Sequence, residues 1–470
     1  MPPRRVGSSR VIAIGGLVAL AALLPLPVSS QEANSVGGET AAGSADQAEA
    51  AAEVREAFLH AWRGYRRHAW GHDELLPISE GGRDWHAQSL LMTPLDAFDT
   101  MLLMRLDEEA AQAKSLVLER LSFDQDFSVQ VFEVTIRSLG GLITAYQMDG
   151  DERFLALAID LAERLLPAFG SATGMPYRYV HLRSGAVSGP VSNPAEIGTL
   201  MLEFGALSRL TGDRRYYDTA KRAVVALFER RSPIGLVGTT IDVESGEWRD
   251  PDSHVSGRID SYYEYLLKSW LLFEDSDFER MWRESIAAAN RYLPDGRATG
   301  YWYGHVDMDT GKRTARRFGA LDAFLPAVLA LGGDLARAWR LMDSVLRMWT
   351  TFGIEPEQLD YVTMEPVSPG YVLRPEAIES AYYLFQLTGD ERFRRMGRVM
   401  ADSILHYTRT ESGFAALESV VTKKQTDRME SFFLAETLKY AYLLFAPAST
   451  LDLGSVIFNT EAHPIRRTWE

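Results

Sequence analysis

The sequence predicts an all-α chain closed into an (α/α)7 barrel of seven helical hairpins. Three observations carry that prediction. Stretches such as 133–146 (EVTIRSLGGLITAY) and 429–445 (MESFFLAETLKYAYLLF) repeat apolar residues at three- and four-residue spacing, while alternating strand-like runs are scarce. A turn phrase recurs, as YQMDGDERF at 146–154, SRLTGDRRY at 208–216 and FQLTGDERF at 385–393. Its glycines, Gly150, Gly212 and Gly389, are spaced by one and then three periods of roughly 60 residues.

The elements follow in chain order. Arg4, Arg5 and Arg10 precede an apolar run from Val11 to Val28, and Val28-Ser29-Ser30 offers small residues for cleavage before Gln31, so 1–30 reads as an export signal. Gly15-Gly16, Pro25 and Pro27 argue against an uncleaved anchor. Residues 31–52, rich in Ala, Gly, Ser and Glu, read as a flexible leader, and 53–470 as a single barrel domain. Within it LMRLDEEA (103–110) supplies a first turn. The degenerate phrases LLFEDSDF (271–278) and LALGGDL (329–335) fall where the period needs turns near Ser276 and Gly333, and LLFAPAST (443–450) supplies a seventh. Each unit can bury its apolar face only against its neighbours. An open solenoid would call for polar end repeats; none is evident, so the ring is expected to close.

Composition narrows the function. Among 470 residues, 46% hydrophobic and 11% aromatic, 64 acids outnumber 49 bases for a net charge of −15, which disfavours nucleic acid and favours cations or neutral polar ligands. The absence of cysteine excludes disulfides, thiolate metal sites and a cysteine nucleophile.

Measured back from the turns, Glu133, Glu196, Asp260, Glu376 and Glu430 recur at the same end of the same helix type. Acids also cap helix starts in any repeat protein, and for one acid taken singly that account is as good. In LRPEAIES (373–380), Pro375 suits the first helical position and the helix dipole should keep Glu376 ionised. A ring of acids at one mouth is harder to dismiss. Paired carboxylates in a cleft split glycosidic bonds, one protonating the leaving oxygen and one activating water or attacking carbon. The apolar neighbours of Glu133 should raise its pKa, whereas Arg137 opposes that shift. Tyr262, Tyr263, Tyr383, Phe432 and Phe433 could stack on sugar faces, although their helical spacing also suits a core.

TPLDAFDTMLLM (93–104), VFEVTIRSLGGLITAY (131–146), GRIDSYYEYLLKSW (257–270), YVLRPEAIES (371–380), ESFFLAETLKY (430–440) and VIFNTEAHP (456–464) resemble, in order, the motifs of glycoside hydrolase family 47, the class I α-mannosidases. The resemblance spans nearly the whole chain after the leader. It implies an (α/α)7 barrel and a calcium-dependent, inverting exo-α-1,2-mannosidase acting on α-1,2-mannosides or high-mannose glycans. From the export signal and the acidic charge the chain is expected to be a bacterial, exported (periplasmic or secreted) monomer with no nucleic-acid partner and no membrane association after signal cleavage. By position, Glu133 matches the general acid, Glu376 the general base and Asp260 a third essential carboxylate. Thr460 matches the direct Ca2+ ligand, and Glu376, Glu436 and Glu461 the acids that hold the ion's water shell. Arg137, Arg374, Glu379, Phe432 and Glu436 match sugar-contacting positions, and Arg258 the arginine of members that trim a single mannose.

Two positions depart from the family pattern. Ala320 and Ala323 stand where a histidine and a cysteine are usual, so a substrate-side contact is expected to be missing. Three other readings are a non-hydrolytic mannose-glycan-binding protein of the same fold, an α-barrel glycosidase of different linkage specificity, and a purely structural toroid. Retention of all three carboxylates favours the enzyme.

Overall fold

The structure, a computed structural model, describes residues 41–469. The export signal and the first part of the leader lie outside the described residues. From Ala41 the leader is already helix, and Ala50 and Ala51 are buried. Its run of alanines is strongly helix-forming.

Seven inner helices line a central axis. Their ranges are Met92–Asp96 continued by Phe98–Leu103, Gly140–Asp149 preceded by Val131–Val134, Met201–Thr211 preceded by Pro194–Gly198, Asp260–Phe273, Leu325–Leu331, Glu376–Thr388 and Leu438–Phe445. They are buried nearly all round, as a helix between two layers must be. Outside them run Asp107–Arg120, Glu152–Leu165, Arg214–Phe228, Ser276–Tyr292, Leu335–Phe352 and Glu391–Thr408. Here the seventh turn departs from expectation. Ala446 and Pro447 end the last inner helix without starting another hairpin, and the seventh outer helix is Ala41–His68, contributed by the other end of the chain. Its Arg55 donates to the carbonyls of Met104 and Arg105, while Glu53 pairs with Arg398 at 2.7 Å, so it stands between the first and sixth outer helices.

The recurring turn phrase has a physical basis. Gly150, Gly212 and Gly389 take left-handed conformations at φ 85°, 78° and 65°. The next residue, Asp151, Asp213 or Asp390, accepts a hydrogen bond from the peptide N–H two residues on and caps the outer helix. In the degenerate turn at 271–278 Glu274 adopts the glycine's conformation and Asp275 caps, which moves the turn slightly ahead of Ser276.

Sequence periodicity missed a rim of β-hairpins that join outer helices to the next inner ones. Their tight turns place Glu80, Gly185, Gly246, Gly311, Met364 and Lys423 at positive φ, each N–H reaching back to the carbonyl four residues earlier at 2.8–3.0 Å. Asp242, Asp307 and Asp360 hold the inner N–H groups of three such turns. The strands run two to four residues, too short to show alternation.

The chain ends by plugging its own barrel. Val456–Phe458 pairs antiparallel with Pro464–Arg466, and the loop between carries buried Asn459, Glu461 and His463. Asn459 donates to the Ile136 carbonyl at 2.9 Å and to Glu203 at 2.8 Å. His463 meets Asp99 at 2.7 Å, and Lys439 bridges Asp99 and the Ala462 carbonyl. Gly140 makes room for this plug, since a Cβ there would lie 2.6 Å from the Asn459 amide. Gly140→Ala should therefore cost about 1–3 kcal/mol in urea or thermal unfolding; unchanged stability would show that the plug is not seated against this helix.

Candidate active site

A cavity of about 300 Å3 opens where the N-terminal ends of the inner helices converge, and it gathers every residue matched to the family site. Glu133, Asp260 and Glu376 line it with Arg137, Arg258, Arg374, Glu379, Phe432, Glu436, Thr460 and Glu461. Glu196 is also present, but four donors from Arg178, Gln130 and Ser192 saturate its carboxylate, which suits a supporting role. Glu430, the fifth acid of the ring, faces an adjoining pocket beside Arg83 and Arg428.

The three matched carboxylates differ in surroundings. Glu133, in the first turn of its short helix, is partly open and meets Arg137 at 3.0 Å, so its immediate partner is a cation and not the apolar neighbours in sequence. Asp260 is the first residue of its helix and accepts from the Ser261 N–H at 2.9 Å; burial pushes it up to about 8, with Glu376, Glu264 and Asp322 adding to the shift. Pro375 caps the helix that Glu376 begins, one position earlier than expected. Against the expectation that the helix dipole keeps Glu376 ionised, burial raises it to about 7 despite Arg374.

The remaining lining divides between cations and rings. Arg137 joins Glu133, Glu461 and Asp96, and its guanidinium lies 5.3 Å from the Trp85 ring and 5.6 Å from that of Phe432. Arg374 is fixed by Glu357 at 3.0 Å and lies 5.6 Å from Phe432. Arg258 stands exposed at the lip with φ 81°, a left-handed conformation held by its carbonyl's bond to the Ala195 N–H. Of the aromatic candidates only Phe432 lines the cavity, while Tyr262, Tyr263, Tyr383 and Phe433 are core. Ala320 and Ala323 are wholly buried, and Leu321 and Phe324 form the wall beside them.

Sequence reasoning missed several members. Glu264 lies one helical turn beyond Asp260 and pairs with the buried Lys268; its spacing from Asp260 was the available signal. Glu355 is fully buried near Glu376 with neither oxygen partnered, and burial and Glu376 push it well above the usual range. Arg137 and Glu436 both sit in π-helical turns, Thr135–Leu139 and Phe433–Thr437. Such turns recur at functional sites, and neither leaves a plain mark in sequence.

The donor set has room for a hard cation. Eight carboxylates line the cavity against three arginines, with no histidine among the lining residues. Burial raises Glu379 and Glu461 to about 8 and Glu436 well above the usual carboxylate range, with neighbouring acids contributing. One oxygen of Glu376 is buried without a partner. Oxygen-only donors and excess negative charge fit calcium better than zinc.

The model of Glycosyl hydrolase family 47 matches residues 57–467. The chain is 38% identical over 460 residues to human ER degradation-enhancing alpha-mannosidase-like protein 2, covering 90% of this chain and 78% of that protein. To human mannosyl-oligosaccharide 1,2-alpha-mannosidase IB it is 36% identical over 450 residues, covering 88% and 69%. The solved alpha-1,2-mannosidase from Trichoderma reesei superposes with a TM-score of 0.83 at 29% identity, covering 90% of this chain and 99% of that one. An (α/α)7 barrel with this acid-lined mouth and these relatives is a glycoside hydrolase. The chain belongs to glycosyl hydrolase family 47.

Because Arg137 is the hub of the buried acids, Arg137→Met should strand Glu461 and Asp96 and cost about 3–5 kcal/mol in denaturant unfolding. A loss under 1 kcal/mol would show that other groups hold those acids.

Proposed function

We propose that the chain is a calcium-dependent, inverting exo-α-1,2-mannosidase that releases terminal mannose from α-1,2-mannosides or high-mannose glycans. The observation that carries this reading is the meeting of Glu133, Asp260 and Glu376 in one cavity with Phe432 and a cation-hungry acid cluster. The printed names of the relatives, 1,2-alpha-mannosidases among them, support the linkage. One chain builds the whole cavity, which suits a monomer. Export fits the basic and apolar N-terminal run, and no helix among the described residues is long and apolar enough to cross a membrane.

Glu133 donates its proton to the departing glycosidic oxygen, and Arg137 steadies the carboxylate that remains. Glu376 takes the proton of the attacking water at its unpartnered oxygen. Phe432 offers an apolar face to the sugar ring, while Arg374 and Glu379 bind its hydroxyls. Thr460 would hold the ion directly, with Glu376, Glu436 and Glu461 holding its water shell. When bound, the ion supplies positive charge that offsets these acids and orients sugar hydroxyls.

Asp260 favours a second assignment of the proton donor, since a carboxyl raised to about 8 carries its proton at neutral pH. A substrate whose leaving group needs no protonation separates the two. With α-mannosyl fluoride, the variant of the true donor, Glu133→Gln or Asp260→Asn, should retain turnover, whereas on α-1,2-mannobiose both should lose about 100- to 10,000-fold in kcat. If Asp260 is the donor, wild-type kcat/KM should fall as pH rises through about 8, because the raised group then gives up its proton.

Release of β-mannose from α-1,2-mannobiose, seen by NMR and abolished by a chelator, is the test of the whole reading. The α anomer would refute inversion, chelator-resistant turnover would refute the calcium role, and mannoside binding without turnover would favour a lectin of this fold.

A further inference from the structure

A second cluster of ligand atoms lies in the rim, outside the barrel cavity. Asp252–Ser253 pairs antiparallel with His305–Asp307, Val306 facing Ser253, and continuing that register sets His254 opposite His305. Asp252 begins its strand and His254 directly follows that strand, two residues on, so the alternation of extended backbone sets both on one side. The result is a carboxylate oxygen and two imidazole nitrogens within 4.8 Å of one another. The two rings lie 4.3 Å apart, centroid to centroid. None of the three residues lines the main cavity.

Their hydrogen bonds leave one donor atom over. His305 Nδ1 meets Asp252 Oδ2 at 2.7 Å, and with the proton on Nδ1 the lone pair of Nε2 is buried with no partner among the described residues. That is the arrangement in which a carboxylate orients a metal-binding histidine. The Thr314 hydroxyl fixes the other Asp252 oxygen at 2.6 Å. His254 bonds through its ring nitrogens to the Thr239 hydroxyl at 3.0 Å and the Ser256 N–H at 3.1 Å, and ligation would exchange one of these for the metal. Both histidines are more than nine-tenths buried, whereas Asp252 is partly open and gives an ion a way in.

We propose that His254 and His305, with Asp252 orienting His305 from behind, form a binding site for a divalent transition cation of the zinc class, separate from the barrel's oxygen-lined cavity. Imidazole nitrogens select zinc and its neighbours over calcium, and water would complete the shell.

The test is titration of the chelator-stripped full chain with Zn2+ by calorimetry, in excess Ca2+ so that the cavity acids are occupied. One equivalent should bind. His305→Gln should weaken it by about 100-fold or more, and Thr314→Val, which frees only the orienting bond, by about 10-fold. Both variants should keep wild-type turnover of mannosides and an unchanged near-ultraviolet dichroism spectrum, which verifies folding. Asp252→Asn, which removes the carboxylate that orients His305, serves as the second variant if His305→Gln proves unstable. No Zn2+ uptake by the wild type, or equal uptake by these variants, overturns the proposal.

Discussion

Everything at the mouth of this barrel depends on holding eight carboxylates around one desolvated cavity with only three arginines lining it. Like charges so placed repel one another more strongly than in water, and burial alone already disfavours the ionised form. The structure relieves the strain in two ways. It aims the N-termini of inner helices at the acids, as at Glu196, Asp260 and Glu376. It uses Arg137 several times over, against Glu133, Glu461 and Asp96. Burial raises the deepest acids, Glu379, Glu436 and Glu461, and a bound cation would supply the positive charge they lack.

Both ends of the described chain are recruited to this arrangement. The Arg137–Glu461 pair joins residues 324 apart, and Asn459 reaches Ile136 across a similar separation. Until the terminal hairpin enters the barrel, Thr460 and Glu461 are absent from the cavity and Arg137 lacks its deepest partner. Contacts this remote in sequence carry a loop-closure cost that the rest of the barrel must offset. The helix Ala41–His68 closes the same ring from the outside.

The hairpin turns were legible because five of them, at Gly150, Gly212, Glu274, Gly333 and Gly389, set a left-handed residue before a capping aspartate. That stamps Gly-Asp on four, whereas the turn before Asp107 carries no such cap. The acids were legible because inner-helix starts recur with the same period. What escaped has equally physical causes. A helix supplied by the opposite terminus leaves no local sign of its partner. The rim hairpins are two to four residues to a strand, and their mark lies only in the turn phrases ESG, DTG and VTM, which the helical search passed over. Glu264 and the His254–His305 pair become visible only when helix phase or strand register is known.

Glu376 shows where local reasoning is outweighed. A helix N-terminus favours an anion by about 0.3–1 kcal/mol, or about 2 in a partly buried setting. Moving a glutamate from its ordinary value to about 7 corresponds to roughly 3 kcal/mol in the opposite sense, and it does so with Arg374 already acting to lower it. The helix start therefore positions this carboxylate without holding it at an ordinary glutamate value. Positive charge that would lower its pKa must come from outside the helix, and Glu376 lines the cavity that Glu436, Glu461 and Thr460 share, with one oxygen buried and unpartnered, so a cation bound there would act on it. A cation bound there would lower that value and leave the carboxylate better able to accept a proton.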